Sequence, residues 1–437
     1  MSPRRAMAAL GALLLSVAPG FSQSVSLVER PTPGDLARCK LELTLSGNLL
    51  VREEAGQKPI KLQAQARHEF LDRTLSLADG FPARSARYYR EASSVMEVGG
   101  ERVKHSLGSD RKLVIAQRSA QGLFCYSPEG PLTRDELDLV SEHFDPQCMA
   151  GLLPGKEVAI GETWVIPNPV AQAAGLLDGL IKTTLTGKLT AVADGIARIQ
   201  LEGSIEGIED GSKVTLTIVA TGQYHMTQKR LIALDWKQHD EREHGPVNPA
   251  SRLDAHVVLT RESLHSEPKE LARVATLPVE PTAEQSRLRY GDPKTGYQFA
   301  YSRDWHITGQ SGPHLMLRLL DRGELIAQAT ITDWKKAEAG KHSTPDEFRK
   351  AIAESRGWMA GQVVESRELP IDGGRWLYRL TAEGLIDQIP VVQGFHLLAG
   401  PRGEQLVVTF VMKPEKVKAI GTRDVEFVKS IVFGQRP

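Results

Sequence analysis

The chain of 437 residues carries 54 basic and 54 acidic side chains, 41% apolar residues, 6% aromatics and three cysteines. A net charge of zero argues against a nucleic-acid-wrapping surface or a polybasic membrane module, because both need a cationic excess. Three cysteines without a C-x-x-C pair exclude a tetrathiolate zinc site, an iron–sulfur centre and a disulfide-dense miniprotein, so the fold must rest on its apolar core.

Residues 1–22 read as an export signal. Arg4 and Arg5 form a positive start, Ala8 to Ala18 is a short apolar stretch, and Gly20-Phe21-Ser22 offers small residues for cleavage before Gln23. The pattern after the arginine pair, Ala6-Met7-Ala8, matches a twin-arginine signal poorly, and Cys39 is too far downstream for lipid anchoring. No later stretch reaches about 20 uninterrupted apolar residues, so a transmembrane helix is not expected, and the location implied is periplasmic or extracellular. In such a compartment Cys125 and Cys148 are candidates for a disulfide; the alternative is three small buried hydrophobes.

From residue 35 to 264 apolar residues alternate at period two, as in Leu41, Leu43 and Leu45, in Ala197, Ile199 and Leu201, and in Val214, Leu216 and Ile218. Glycine-rich turns at Gly99-Gly100, Asp194-Gly195 and Asp210-Gly211 suit sequential hairpins in one large curved antiparallel sheet. Two helices are predicted to cover it. Thr133 and Glu136 have capping-box spacing ahead of Leu137, Val140 and Phe144, placing a helix over 133–144. Pro169 then opens a stripe of Val170, Ala173, Ala174, Leu177, Leu180 and Ile181 at helical spacing. Residues 265–286 lose the alternation and read as a linker.

Beyond the linker, residues 287–435 change pattern. Tyr297, Phe299 and Tyr301 alternate, and Leu315 to Leu319 turn through Asp321-Arg322-Gly323 into Leu325 to Ile331. Thr344-Pro345-Asp346-Glu347 caps a helix carrying Phe348 and Ile352. Strands around Trp376, Ile389 and Leu406 and a helix over 422–431 close the chain. The fold class expected is α+β: a curved antiparallel sheet with two covering helices, then a second, smaller sandwich.

The opening Gly296 to Tyr301 followed by Trp305, the hairpin, the capped helix, three strands and a closing helix resembles the PsbP and DcrB class of α/β/α sandwich domains. That resemblance spans residues 287–435 and departs from many relatives at Ser302-Arg303-Asp304, where a proline is common. It implies a binding or assembly role outside the cytoplasm. The first domain resembles secreted bacterial β-rich proteins with a Leu-Pro…Val-x-x-Gly-x-x-Trp segment, here Leu153-Pro154 and Val158 to Trp164. It is also similar in architecture to the half-barrel of LolA-type lipoprotein carriers.

No catalytic residue and no cofactor are assigned. His239, Glu241 and His244 are the candidate metal ligands, although strand geometry turns His244 away from the other two. His68-Glu69 lacks the second histidine of a zincin, no serine has an elbow motif, and the acids Asp135, Glu136, Asp138 and Glu142 suit a solvated helix face. Trp334 beside Lys335 is a candidate binding surface at a strand end, and Ala173, Ala174 and Leu177 would line a hollow if the second helix were a lid over a hydrophobic ligand. The function expected is an exported, non-enzymatic binding or envelope-assembly protein. Its partner would be an unknown protein or a hydrophobic ligand of the cell envelope, with no nucleic acid. Alternatives are a periplasmic carrier of a lipid or lipoprotein and a metal-dependent hydrolase.

Overall fold

The computed structural model describes residues 24–53, 56–119, 122–141, 143–355 and 357–434. The expected export signal and its cleavage point lie outside the described residues.

In chain order the first unit comprises β1 (Ser24–Ser26), β2 (Leu36–Glu53), β3 (Gly56–Ala78), β4 (Phe81–Val98), β5 (Glu101–Ser106), β6 (Leu113–Ser119), β7 (Gly122–Tyr126), α1 (Arg134–Ser141), β8 (Glu157–Ala159), β9 (Thr163–Val165), α2 (Asn168–Ala174), β10 (Gly179–Thr183), β11 (Thr186–Ala193), β12 (Ile196–Glu209), β13 (Ser212–His225), β14 (Arg230–Arg242) and β15 (Ala250–Ser263). Thirteen of these strands form one antiparallel sheet, ordered β7-β6-β4-β3-β2-β15-β14-β13-β12-β11-β9, with β5 on β4 and β10 on β12. The alternation that marks the strands fixes their faces. Val214, Leu216, Ile218, Ala220 and Tyr224 on β13 all point inward between exposed or half-exposed neighbours. Turns Asp79-Gly80, Gly99-Gly100, Asp194-Gly195 and Asp210-Gly211 have positive φ at both central residues, the conformation that matches strand twist in two-residue hairpins.

The concave face is not covered by two helices, and the α+β expectation is corrected: among the described residues the protein is mostly β, with only five short α-helices. α1 does form, with Thr133 Oγ1 accepting from Glu136 N at 3.2 Å and Glu136 Oε2 accepting from Thr133 N at 2.8 Å. The second helix stops at Ala174. Gly175 caps it, Leu176 adopts φ 53°, and Leu180 and Ile181 enter β10 instead of continuing the helical stripe. The segment from Phe144 to Leu177, with a 3-10 helix over Pro146–Leu152, β9 and α2, fills the hollow: Phe144, Met149, Leu152, Trp164, Ile166, Val170 and Leu177 pack in one cluster with the inward residues of β2, β3 and β11 to β15.

The second unit comprises β16 (Leu288–Gly291), β17 (Tyr297–Tyr301), β18 (Trp305–Ser311), β19 (His314–Asp321), β20 (Glu324–Asp333), α3 (Pro345–Ala353), β21 (Met359–Leu369), β22 (Trp376–Ile386), β23 (Ile389–Ala399), β24 (Gln405–Met412), α4 (Val417–Ile420), α5 (Arg423–Ser430) and β25 (Val432–Phe433). Its seven-stranded sheet runs β18-β19-β20-β24-β23-β22-β21, beside a small sheet β16-β17-β25. Phe348 and Ile352 of α3 pack on Tyr378, Leu380 and Leu397, while Phe427 and Val428 of α5 pack with Leu317, Leu398 and Phe410 of the opposite face.

The segment between the units is anchored by Leu271 and Val274, buried against Leu71, Leu113 and Ile115. The units also share apolar core. Leu132, Leu137 and Val140 around α1 join one cluster with Leu288, Phe299 and Trp305. Leu132 bridges Leu288, Arg303 Nη2 donates to Cys125 O at 2.6 Å, and its guanidinium lies 3.9 Å from the Phe124 ring centroid. At a second contact Arg318 donates to Pro246 O, and the turns at Gly211 and Gly323 meet backbone to backbone.

Candidate functional site: the cleft between the units

A cleft of about 480 Å³ opens at this junction. Thr133, Arg134, Asp135 and Asp138 of the first unit, the loop at Val247 and Asn248, and Arg289, Tyr290, Tyr301 and His306 of the second line it. A further hollow of about 440 Å³ shares Thr133, Arg289 and Tyr290 and runs along Phe299 and Ala300 to Val432. Local structure sets each group. Arg289 N donates to Leu132 O at 2.8 Å, which holds β16 against the entry to α1. The alternation of β17 turns Tyr297, Phe299 and Tyr301 into a cluster of tilted rings with Tyr290.

Charges of both signs face this space. Arg134 and Asp138 pair at 2.8 Å on adjacent turns of α1; burial opposes the Arg134 cation, but the carboxylate beside it holds its pKa above the usual arginine value. Burial lowers the pKa of His306, favouring a neutral imidazole, and raises that of the Tyr301 phenol. The Tyr301 hydroxyl and Arg289 Nε are buried without a hydrogen-bond partner among the described residues. The Thr133 hydroxyl is occupied by the helix cap. Such a lining sets charged and hydrogen-bonding groups beside tyrosine rings.

The candidate metal ligands, the Trp334 surface and the Ala173 stripe lie elsewhere, whereas Asp135 and Asp138 of the acidic group line the cleft. His239 is exposed on β14, 2.7 Å from Asp254 and 3.9 Å from Glu241, while His244 lies beyond the strand end near the charges of Arg52 and Arg318. Among the described residues no three histidine, cysteine or acidic side chains converge to hold a metal ion. Of the four acids near α1, Glu136 caps the helix, Asp135 meets His105 at 3.3 Å, and Glu142 lies outside the described residues. Trp334 is half-buried: Nε1 donates to Ser343 Oγ at 3.1 Å, and the ring meets Phe348 edge-on. Lys335 remains exposed, 3.6 Å from Glu347. Ala173, Ala174 and Leu177 are 3%, 0% and 1% exposed within the filled concave core.

Cys125, Cys148 and Cys39 are free and buried, the alternative to the candidate disulfide; Cys125 packs with the interdomain cluster and Cys148 with the concave core. Burial pushes Cys39 up to about 12 and Cys125 up to about 11, so neither is a thiolate at neutral pH. They flank a buried ionic cluster in which Asp145 accepts from Arg87 at 2.6 Å and from Arg118 at 2.8 Å.

No family model and no curated protein matches the chain. Among solved structures, the cyanobacterial PsbP (CyanoP) of Synechocystis sp. PCC 6803 is similar over 34% of this chain and 93% of its own, at 16% identity and a TM-score of 0.26. Lipovitellin is similar over 55% of this chain and 26% of its own, at 9% identity and 0.31. A loop-deletion mutant of OmpT, an outer membrane protein of Vibrio cholerae, covers 87% of this chain and 99% of its own, at 9% identity and 0.15. The expected likeness to PsbP thus has a structural counterpart of limited extent, and the likeness to LolA-type carriers finds no support.

Proposed function

We propose that the chain is an exported, non-enzymatic binding or envelope-assembly protein that takes a polar, zwitterionic segment, such as a peptide of its partner, in the cleft between its two units. One observation carries this reading: both units build the cleft, and the buried Tyr301 hydroxyl and Arg289 Nε at its lining have no partner among the described residues. An unsatisfied buried polar group costs about 1–3 kcal/mol, which a ligand's hydrogen bonds would recover. Paired Arg134 and Asp138 add charges of both signs.

Saturation-transfer measurements with a panel of zwitterionic tripeptides and a fluorescent fatty acid test the reading. Saturable tripeptide binding, weakened at least about tenfold by Tyr301→Phe with Arg289→Gln, is expected from loss of two buried hydrogen bonds. Binding of the fatty acid alone would support a carrier of hydrophobic ligands instead, and binding of neither probe would remove the cleft from consideration.

A further inference from the structure

We propose that β21 is a self-association edge, where two copies of the chain join antiparallel about a two-fold axis at Ser366 and continue their seven-stranded sheets into one. This is independent of the cleft. β21 is the last strand of its sheet, paired on one side only, to β22. Its outer row of backbone groups is therefore open, the template on which a further strand adds. Proteins commonly blunt such edges with short strands or inward charges, whereas β21 is eleven residues long and exposes Met359 at 67%, Val363 at 50% and Val364 at 59%. Irregular register at 360–365 bends the first half of the strand, while Glu365 to Leu369 pair regularly with Thr381 to Leu377.

The side chains of this edge identify the occupant. A two-fold axis perpendicular to the sheet keeps each face on its own side, so paired residues must sum to twice the residue on the axis. With Ser366 on the axis, Glu365 opposes Arg367 of the second copy, and Arg367 opposes its Glu365. Moving the axis one residue on, to Arg367, would set like charges against each other. Glu365 is already held by Arg379 at 3.1 Å and by Arg367 at 2.5 Å, so the second copy would complete an alternating ring of two acids and two arginines on a pre-positioned carboxylate. Charge complementarity thus selects a second copy of this chain.

The axis residue gives the test. Identical residues on a two-fold antiparallel axis lie about 4.5–5.5 Å apart at Cα, within disulfide range, and the natural cysteines are all buried. Ser366→Cys in the full chain is expected to form a disulfide-linked dimer under mild oxidation, while Val219→Cys, at an exposed position of the first unit, does not. By sedimentation equilibrium the unmodified chain should show concentration-dependent dimerisation. Arg367→Glu, an exposed position whose own ion pair contributes little to folding, should weaken it at least about tenfold, since two attractive contacts become repulsive. An unchanged melting temperature should report intact folding of this variant. A monomer at all concentrations, a dimer indifferent to Arg367→Glu, or cross-linking of the Ser366→Cys variant only to a foreign protein in an exporting host would overturn the proposal.

Discussion

Asp145 illustrates how a buried charge is kept in this protein. Its side chain is fully buried; Arg118 and then Arg87 overcome the burial penalty and hold its pKa below the usual carboxylate range. Asp145→Ala leaves Arg87, itself buried, without its closest counter-charge, and the expected loss is about 3–5 kcal/mol in urea denaturation. Acid should act in the same direction through two histidines. Burial, with a nearby arginine in each case, lowers His68 to about 4 and His396 to about 3. Below the ordinary imidazole value near 6.5 the unfolded chain takes up these protons first. Stability is therefore fully present above that value and declines as pH falls toward the folded values, by up to about 1.4 kcal/mol per pH unit for each histidine. Denaturation midpoints at about pH 7.5 and pH 5 measure the slope, and His396→Gln should reduce it by close to one proton. An unchanged slope would show that His396 is charged in the folded protein.

At the scale of elements, α2 separates the packed-core and carrier readings. Ala174 has no exposed surface inside the concave cluster, so Ala174→Leu must displace its neighbours and should cost about 1–3 kcal/mol. The full chain should show this loss without saturable binding of a fluorescent fatty acid; binding that the substitution weakens at unchanged stability would reveal a hollow. The same element shows where sequence reasoning stopped. Alanines and leucines at helical spacing say nothing about a residue entering the left-handed region, and Leu176 does so immediately after the Gly175 cap. The long strands were legible because each has one wet and one dry face, and their turns because Asp-Gly and Gly-Gly supply positive φ. β21 was not, since its exposed edge and irregular register leave no alternation to read. The cleft was invisible for a different reason: Arg134, Asn248, Arg289 and Tyr301 are individually ordinary surface or strand letters, and only the meeting of distant segments gives them a shared space.

On the scale of the whole molecule the open issue is whether the two units fold as one. Each has apolar packing of its own, in the concave cluster of the first and beneath α3 in the second. Between them the cluster around Leu132, Leu288 and Trp305 is continuous, and Arg303 ties the second unit to the backbone at Cys125. Interfaces within a chain that are this apolar favour joint unfolding over independent motion. Four of the six tryptophans, Trp305, Trp334, Trp358 and Trp376, lie in the second unit, so fluorescence weights that unit while far-UV circular dichroism weights the larger sheet. The two signals should follow one urea transition in the intact chain. Gly211→Val, whose side chain collides with the Gly323 carbonyl, combined with Arg303→Ala, loosens both contacts and should separate the signals into two transitions. Separate transitions in the unmodified chain would instead mean that the shared cluster carries little coupling energy, and that residues 286–437 fold alone after cleavage within 265–286.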